Sequence, residues 1–214
     1  SKRPILLAGN GIKLSGATSE FLQFVKKHNI PVVSTYLGID LLSHQDPLMI
    51  GCVGVKGTRA GNFALQNSDL VIAIGTRLSV PVIGYKPVQS QKWADTCYSW
   101  KNNWTVYQKE YEKDDTGINL YYFIEKLSDC MHSDSVVVSD AGSAYYVTSQ
   151  GLKIKDKQKY VTSGAQADMG FTIPASVGVS FANNKKDVIG ITGDGSFQTN
   201  IQELQTIVHY NLPI

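Results

Sequence analysis

The chain has 214 residues, of which 43% are hydrophobic and 18% are charged, proportions that are ordinary for a globular protein. A formal net charge of +2 and the lack of any apolar stretch of membrane length give no reason to expect nucleic acid or a membrane as a partner. Three widely separated cysteines are typical of free thiols in a reducing compartment, so we expect a cytoplasmic protein without a signal peptide.

The first segment, residues 1–88, alternates short apolar runs with helical patterns. Strands are predicted at Ile5–Ala8, Ile30–Ser34 and Leu70–Ile74, and a helix with Thr18 as its cap lies between the first two. Strands that alternate with helices in this way predict a parallel sheet built from βαβ units.

The turn Gly9-Asn10-Gly11 follows the first predicted strand and has two interpretations. It resembles the start of a G-x-G-x-x-G dinucleotide motif, but the third glycine of that motif would fall at Leu14. A tight turn between a strand and a helix explains the two glycines at least as well.

Residues 89–116 differ from the segments on either side of them. They contain all three tryptophans, Trp93, Trp100 and Trp104, together with lysine and tyrosine and few β-branched residues. This composition predicts a helical connector whose tryptophans pack against a neighbouring domain rather than bind a ligand.

The third segment, residues 117–214, has a second α/β pattern. Strands are predicted at Val136–Ser139 and Val188–Thr192, and a helical pattern of small residues follows Met169-Gly170. The alternating lysines from Lys153 to Lys159 predict a solvated linker or loop.

The motif that says most about function is Gly193-Asp194-Gly195, directly after a buried strand. We expect a helix to follow, with Thr199 as its cap and Gln202 completing a capping box. A helix start and a tight glycine turn suit a phosphate, and Asp194 can hold a divalent cation against that phosphate. The pattern therefore predicts a site for a diphosphate cofactor and a metal ion, although such a turn can also be purely structural.

Two further loops support the interpretation of this region as a cofactor site. Asp140–Ser143 follows another predicted parallel strand, and Met169-Gly170 follows a turn of small residues. Because ligands of parallel sheets bind at the carboxyl ends of the strands, we expect these loops to converge with Gly193–Gly195 on one ligand.

These motifs resemble those of the thiamine diphosphate enzymes of the acetolactate synthase group. Nearly the whole chain except residues 89–115 takes part in the resemblance. The matching stretches are Ile191–Phe197 followed by Asn200–Thr206 for the diphosphate motif, Ala165–Ala175 for a G-x-G-x-M-G-F-x-x-P-A segment, and Gly57-Thr58, Ala64–Leu70 and Gly75–Arg77 for the middle domain.

The resemblance implies a role for each matching residue, here Gly142, Ser143, Ala167, Met169, Gly193, Asp194, Gly195, Ser196 and Phe197. Asp194 would bind Mg²⁺, the Gly195-Ser196 backbone would cradle the diphosphate, and Met169 would bend the cofactor. Backbone groups near Ala167 and Met169 would hold the pyrimidine edge, and the Gly142-Ser143 loop would also contact the diphosphate.

The implied reaction is decarboxylation of a 2-oxo acid with the cofactor as electron sink, followed by ligation to a second carbonyl compound. The implied partners are the 2-oxo acid and a second copy of the chain, in a homodimer or homotetramer. An oxalyl-CoA- or benzoylformate-type decarboxylase and a non-catalytic regulatory module of the same fold remain alternatives.

The sequence departs from the family pattern in ways that predict a fragment. The asparagines that close the metal motif, the glutamate of the pyrimidine domain and the last strands of the middle domain do not appear, so we expect two Rossmann-like α/β/α domains, both incomplete, and no activity from the chain alone. Leu78-Ser79-Val80 stands where flavin-binding relatives have Asp-Asp-Arg, and Gly142-Ser143-Ala144 where they have Gly-Gln-His. We therefore do not expect FAD.

Overall fold

The computed structural model describes residues 1–78, 93–113, 117–164 and 166–214. They form two units, Ser1–Tyr111 and Glu112–Ile214. Each unit contains a parallel sheet with helices between its strands, which confirms the predicted pair of Rossmann-like α/β domains. The longest helices in these ranges have 11 residues, about half of the roughly 20 residues that a membrane span needs.

Four strands form the sheet that is described in the first unit: β1 (Pro4–Ala8), β2 (Val32–Ser34), β3 (Met49–Cys52) and β4 (Leu70–Ile74). All neighbours are parallel, in the order β3-β2-β1-β4. Ile5 and Leu7 of β1 belong to the core on one face of the sheet, and Leu6 and Ala8 to the core on the other. Burial on both faces explains why β1 is an uninterrupted apolar run.

The helices described in this unit are α1 (Gly11–Leu14), α2 (Thr18–His28), α3 (Arg59–Asn67) and α4 (Trp93–Asn103), with short 3₁₀ turns at Tyr36–Gly38 and Lys109–Lys113. α2 covers one face of the sheet through Phe21 and Val25. α3 and α4 cover the other through Ala64 and Trp93, so the sheet lies between two helical layers.

The tryptophan segment is described from residue 93 to residue 113, and the rest of its predicted range lies outside the described residues. Trp93 is buried, and its indole N–H donates to the Pro4 carbonyl at 2.9 Å. The ring centroid of Trp100 lies 5.7 Å from that of Trp93 and 5.9 Å from that of Trp104. The three rings therefore extend the core of the first unit.

Two details of the first unit differ from the sequence predictions. The sequence pattern does not predict β3, because Gly51, at a positive φ of 146°, interrupts its apolar residues. Thr18 is the first residue of α2 rather than its cap; Ala17 is in the cap position, and no side chain caps the helix.

In the described residues of the second unit, the strands are β5 (Val136–Ser139), β6 (Lys159–Thr162) and β7 (Val188–Ile191), all parallel in the order β6-β5-β7. The helices are α5 (Leu120–Cys130), α6 (Gly142–Gly151), α7 (Thr172–Ala182), α8 (Asp194–Thr199) and α9 (Glu203–His209). β5 is central and buried along its whole length, so its two neighbours fix the position of its carboxyl end.

The lysine segment is only partly the solvated loop that its charges predict. Lys159 begins β6, and Lys153 forms an ion pair with Glu125. Gln158 is fully buried, where its side-chain amide donates to the His132 carbonyl at 2.7 Å and accepts from Lys155 N–H at 2.8 Å. The alternating lysines thus lie on the outer side of a segment in which Ile154 and Gln158 are buried, while Asp156 is exposed.

Candidate functional site

Two of the loops that the sequence singles out start from neighbouring strands of the second sheet. The last residues of β5 and β7, Ser139 and Ile191, are paired in register. Asp140–Gly142 and the acidic turn, defined as Thr192–Gly195, therefore leave the same carboxyl edge of the sheet side by side. Ligands of α/β sheets bind at this edge.

Asp140 occupies the centre of this edge and is fully buried. One carboxyl oxygen, Oδ2, accepts hydrogen bonds from the hydroxyls of Thr192 (3.0 Å) and Ser196 and from Thr172 N–H (3.3 Å). The other oxygen, Oδ1, accepts from Ala141 N–H at 2.7 Å. Four donors compensate the cost of burying this carboxyl group, and they come from α6, β7, α7 and α8 or the residues next to them.

The third loop, the methionine turn (Asp168–Phe171), is attached directly to α8. Gly170 N–H donates to Ser196 Oγ at 2.7 Å, and the side-chain amide of Asn200 donates to the Gly170 carbonyl at 2.7 Å. Gly170 has φ +82°, and a Cβ at this position would lie 2.8 Å from Asn200 Nδ2. Glycine is therefore required here by both the backbone and the neighbouring side chain.

The helix after the acidic turn starts earlier than the sequence predicts. α8 begins at Asp194 with Gly193 as its cap residue, and Thr199 is its last residue instead of the cap of a later helix. The Thr199 hydroxyl donates back to the Gly195 carbonyl at 3.1 Å, a bond that a threonine inside a helix can form. The predicted capping box is wrong, since Gln202 precedes α9 without a side-chain cap bond.

Asp194, the predicted metal ligand, is exposed in the first turn of α8. Its Oδ1 accepts a hydrogen bond from Gly195 N–H at 2.8 Å, which leaves the carboxylate at the surface of the acidic turn. Among the described residues no group of three or more His, Cys, Asp or Glu side chains could hold a metal ion. In the described residues a cation would therefore find at most two such side chains together and would need oxygen atoms from other sources.

Met169, the predicted apolar wedge, is 59% exposed although it is a large apolar side chain. Its methyl group lies 3.3 Å from the position that a Cβ would take on Gly195. The methionine turn and the acidic turn thus present an apolar side chain and a carboxylate side by side.

The Gly142-Ser143 loop meets the acidic turn at a cavity of about 370 Å³. Ser143, Thr192 and Gly193 line one part of this cavity, and apolar residues of α5 line another. Gly142 (φ +58°) and Gly193 both face open space, where an added Cβ would meet no atom within 4 Å. The backbone of both loops is therefore accessible to a ligand.

The two remaining candidates for the cofactor site are Phe197 and Ala167. Phe197 is half-buried on α8, where its N–H donates to the Gly193 carbonyl at 2.8 Å. Ala167 lies just before the methionine turn with φ +55°, next to Asp168, whose N–H donates to Ser163 Oγ at 2.9 Å. Ala167 is thus in the loop that leads to Met169.

Sequence reasoning did not identify the residues that hold the three loops together. Asp140, Thr172, Thr192 and Asn200 act through hydrogen bonds between segments that are far apart in the chain. The signal that could have identified Asp140 is its position, because it is an acidic residue at the end of four consecutive buried strand residues. A carboxyl group in such a place needs several donors.

In the first unit, the Gly9-Asn10-Gly11 turn packs tightly against the end of β4. Gly9 N–H donates to the Ile74 carbonyl and Gly11 N–H to the Gly75 carbonyl, both at 2.9 Å. A Cβ on Gly9 would lie 2.3 Å from the Gly75 oxygen. These contacts favour the interpretation as a tight turn between strand and helix over that as a dinucleotide motif.

Comparison with known proteins finds two family models that match this chain. The model of the thiamine pyrophosphate enzyme central domain matches residues 1–96, and that of the C-terminal TPP binding domain matches residues 140–214. Together the two matches cover about four fifths of the chain, and the second contains every candidate site residue.

Curated relatives match over the whole length of this chain. It is 28% identical to a probable acetolactate synthase large subunit of Methanococcus aeolicus, over all of this chain and 46% of that protein. It is also 28% identical to the acetolactate synthase large subunit of Lactococcus lactis (45% of that protein) and 25% identical to the isozyme 2 large subunit of Escherichia coli (46%).

The chain spans about half the length of the curated relatives that it matches. The alignment with the Methanococcus aeolicus protein extends over 273 positions against 214 residues here, so that relative has about 59 residues within this stretch that have no counterpart. From the two domain matches and the relatives along its full length, we conclude that the chain belongs to the thiamine diphosphate-dependent enzyme family.

Proposed function

We propose that the chain is part of a thiamine diphosphate- and Mg²⁺-dependent enzyme that decarboxylates a 2-oxo acid and ligates the product to a second carbonyl compound, as in an acetolactate synthase. The observation that carries this proposal is the hydrogen bond from Gly170 N–H to Ser196 Oγ, which joins the methionine turn to the helix that follows the acidic turn. The cofactor has a charged diphosphate and two rings, so its site needs a polar turn beside an apolar side chain.

The residues of the site fit these requirements. Open space at Gly142 and Gly193 lets a diphosphate approach the backbone, and Asp194 is exposed beside it. Asp194 would hold Mg²⁺ against the diphosphate, and Met169 would support the rings. When bound, the cofactor supplies the electron sink for decarboxylation.

The protein's own contribution in this region is to bind and to orient. α8 has only six residues, so its dipole is small, and the backbone N–H groups of the acidic turn are the main donors for an anion. The apolar lining of the cavity beside Ser143 and Gly193 would keep water away from the bound cofactor. Both features favour binding of the cofactor.

The reaction class has one close alternative. Gly142-Ser143-Ala144 stands where acetolactate synthases have Gly-Gln-His. This change favours one of two alternatives: a ligation reaction with a different acceptor, or a simple decarboxylase of the oxalyl-CoA or benzoylformate type. The relatives are named acetolactate synthases, which supports the reaction that ligates the product to a second carbonyl compound. A non-catalytic regulatory module would bind the cofactor without turnover of any 2-oxo acid.

The whole protein would act as a homodimer or homotetramer, because cofactors of this family lie between subunits. The glutamate that starts the chemistry belongs, by the resemblance, to a pyrimidine domain that is not among these 214 residues. We therefore propose that the chain alone binds cofactor but does not turn over substrate, whereas a protein that also contains a pyrimidine domain releases CO₂ from pyruvate.

We also propose that the first unit does not hold FAD. A dinucleotide phosphate needs free backbone N–H groups at the glycine turn, but those of Gly9 and Gly11 are bonded to carbonyls of the β4 end. Purified protein should therefore be colourless. A yellow preparation with flavin absorbance would contradict this proposal.

Calorimetry of the 214-residue chain with thiamine diphosphate tests the cofactor assignment. We expect binding in the presence of Mg²⁺ that is lost on addition of EDTA. Equal binding with and without Mg²⁺ would remove the metal from the proposal, and no binding under either condition would overturn it. Turnover of pyruvate, measured as CO₂ release by a protein with the pyrimidine domain, then separates an enzyme from a regulatory module.

A further inference from the structure

We propose that Asp140 is the positioning residue that holds the acidic turn and the methionine turn in a single geometry; what the two turns bind rests on the proposed function. Asp140 is fully buried, whereas Asp194 and Met169 are exposed. It therefore acts on a ligand only through the residues that it holds.

One oxygen atom of Asp140 connects three elements. Oδ2 accepts from Thr192 at the start of the acidic turn, from Ser196 on α8, and from the backbone N–H of Thr172, the first residue of α7. The methionine turn leads directly into α7, and the acidic turn directly into α8. Both ends of the site are thus fixed to the same atom.

The connection continues through Ser196 to the methionine turn. A backbone N–H can only donate, so the bond between Gly170 and Ser196 uses a lone pair of the serine oxygen. The hydroxyl has one proton, and the structure directs it to Asp140. Asp140 therefore sets the orientation of Ser196, and Ser196 sets the position of Gly170 next to Met169.

The substitution Asp140→Asn isolates this role because it preserves shape. An amide NH₂ in place of Oδ2 cannot accept from Thr192, Ser196 or Thr172, and the flipped amide would turn the NH₂ toward Ala141 N–H. Either orientation sets donors against donors inside the core.

The matched control is Ser139→Ala, one residue earlier in the chain. Ser139 is also fully buried, and its hydroxyl is bonded to Tyr160 OH at 2.5 Å instead of to any residue of the site. Ser139→Ala should lower stability because it removes this buried hydrogen bond, but it leaves all four contacts of Asp140 in place. Any effect shared by the two variants is a general loss of stability.

Two readouts on the full chain test the proposal. Amide hydrogen exchange at Gly170 and Thr172, relative to Val138 in β5, should accelerate at least about tenfold in Asp140→Asn and stay unchanged in Ser139→Ala. The dissociation constant for thiamine diphosphate with Mg²⁺ should rise at least about tenfold in Asp140→Asn alone.

The proposal is overturned if Asp140→Asn matches Ser139→Ala in both exchange and affinity. Should Asp140→Asn not fold, Ser196→Ala cuts the connection to Gly170 alone; faster exchange at Gly170 would support the proposal, and unchanged exchange would overturn it. Failure of the wild-type chain to bind the cofactor would contradict the proposed function instead, and the exchange measurement still decides whether Asp140 holds Gly170.

Discussion

The methyl group of Met169 lies 3.3 Å from the point where a Cβ on Gly195 would stand. This approach is possible because Gly195 has no side chain, and it places an apolar group directly above the first turn of α8. The space between the two residues is therefore determined by the glycine as much as by the methionine.

Substitution of Gly195 by alanine should displace Met169 with little effect on the fold. The methionine side chain is flexible and exposed, so it can yield by a few tenths of an ångström. We expect the affinity for thiamine diphosphate to fall about fivefold, equal to about 1 kcal/mol, while the affinity for inorganic pyrophosphate with Mg²⁺ stays unchanged. Calorimetry with both ligands measures this difference.

Gly178→Ala is the matched control for that experiment. Gly178 is exposed within α7, and an added Cβ would meet no atom within 4 Å. The substitution should stabilise the chain by about 0.5–1 kcal/mol through helix propensity and leave both affinities unchanged. Equal losses of affinity for the two ligands in Gly195→Ala would show that Met169 is not involved.

Asp194→Ala should remove Mg²⁺-dependent binding of the cofactor and leave the fold intact. The carboxylate is exposed and, within the described ranges of the chain, accepts a hydrogen bond only from the adjacent Gly195 N–H, so stability should change by no more than about 0.5 kcal/mol. Asp187→Ala removes the same charge just before the opposite end of β7 and should bind like wild type. Unchanged binding by Asp194→Ala would remove this residue from the metal site.

Most of the fold follows from local patterns in the sequence. β4 and β5 begin and end where their apolar runs predict, because both runs end at glycine or polar residues. β3 and β6 escape prediction, since Gly51 interrupts the apolar run of β3, and β6 mixes apolar residues with Lys159 and Thr162. Their conformation depends on pairing with β2 and β5 instead of on their own composition.

The sequence predicts those parts of the site in which residues of suitable chemistry come directly after a predicted strand. The Gly-Asp-Gly motif and the strand before it mark the acidic turn, and the structure places Met169 beside it. The role of Asp140 was not predictable, because its partners lie 32 to 56 residues away in the chain. Hydrogen bonds over such separations are set by the packing of α7 and α8 on the sheet, which single-sequence patterns do not contain.

Two glycines at positive φ provide a test of how rigid the methionine turn is. Gly170→Ala would place a Cβ 2.8 Å from Asn200 Nδ2 in addition to the backbone strain at φ +82°, whereas Gly142→Ala at φ +58° would meet no atom. We expect losses in the free energy of unfolding of about 3 kcal/mol and about 1 kcal/mol, respectively. Urea unfolding followed by far-UV circular dichroism measures both.

Equal losses for the two variants would contradict this expectation. They would mean that Asn200 moves aside without cost and that its hydrogen bond to the Gly170 carbonyl does not fix the turn. Asn200→Ala then gives the energy of that bond independently. It should cost about 1 kcal/mol.

Lys101 makes the stability of the first unit depend on pH. It lies near the end of α4, and its ammonium group donates to the carbonyl oxygens of His44 and Asp46. Burial lowers the pKa of Lys101 from 10.5 to about 8, partly offset by the negative charge of Asp46. Between these two values the unfolded chain binds more protons than the folded chain, so this residue makes stability rise with pH.

Lys101→Met should abolish that rise. Below about pH 8 both states are protonated at Lys101, so the difference in free energy of unfolding between wild type and variant is constant there. From pH 8 to pH 9 this difference should increase by about 1 kcal/mol in favour of wild type. Urea unfolding followed by tryptophan fluorescence reports on the first unit, because all three tryptophans belong to it.

Burial also raises the pKa of Cys52 to about 11 and that of Cys97 to about 12, but both thiols are present in each protein and cancel in the difference. A flat difference for Lys101→Met over the same range would show that Lys101 titrates in the folded chain as it does in the unfolded one.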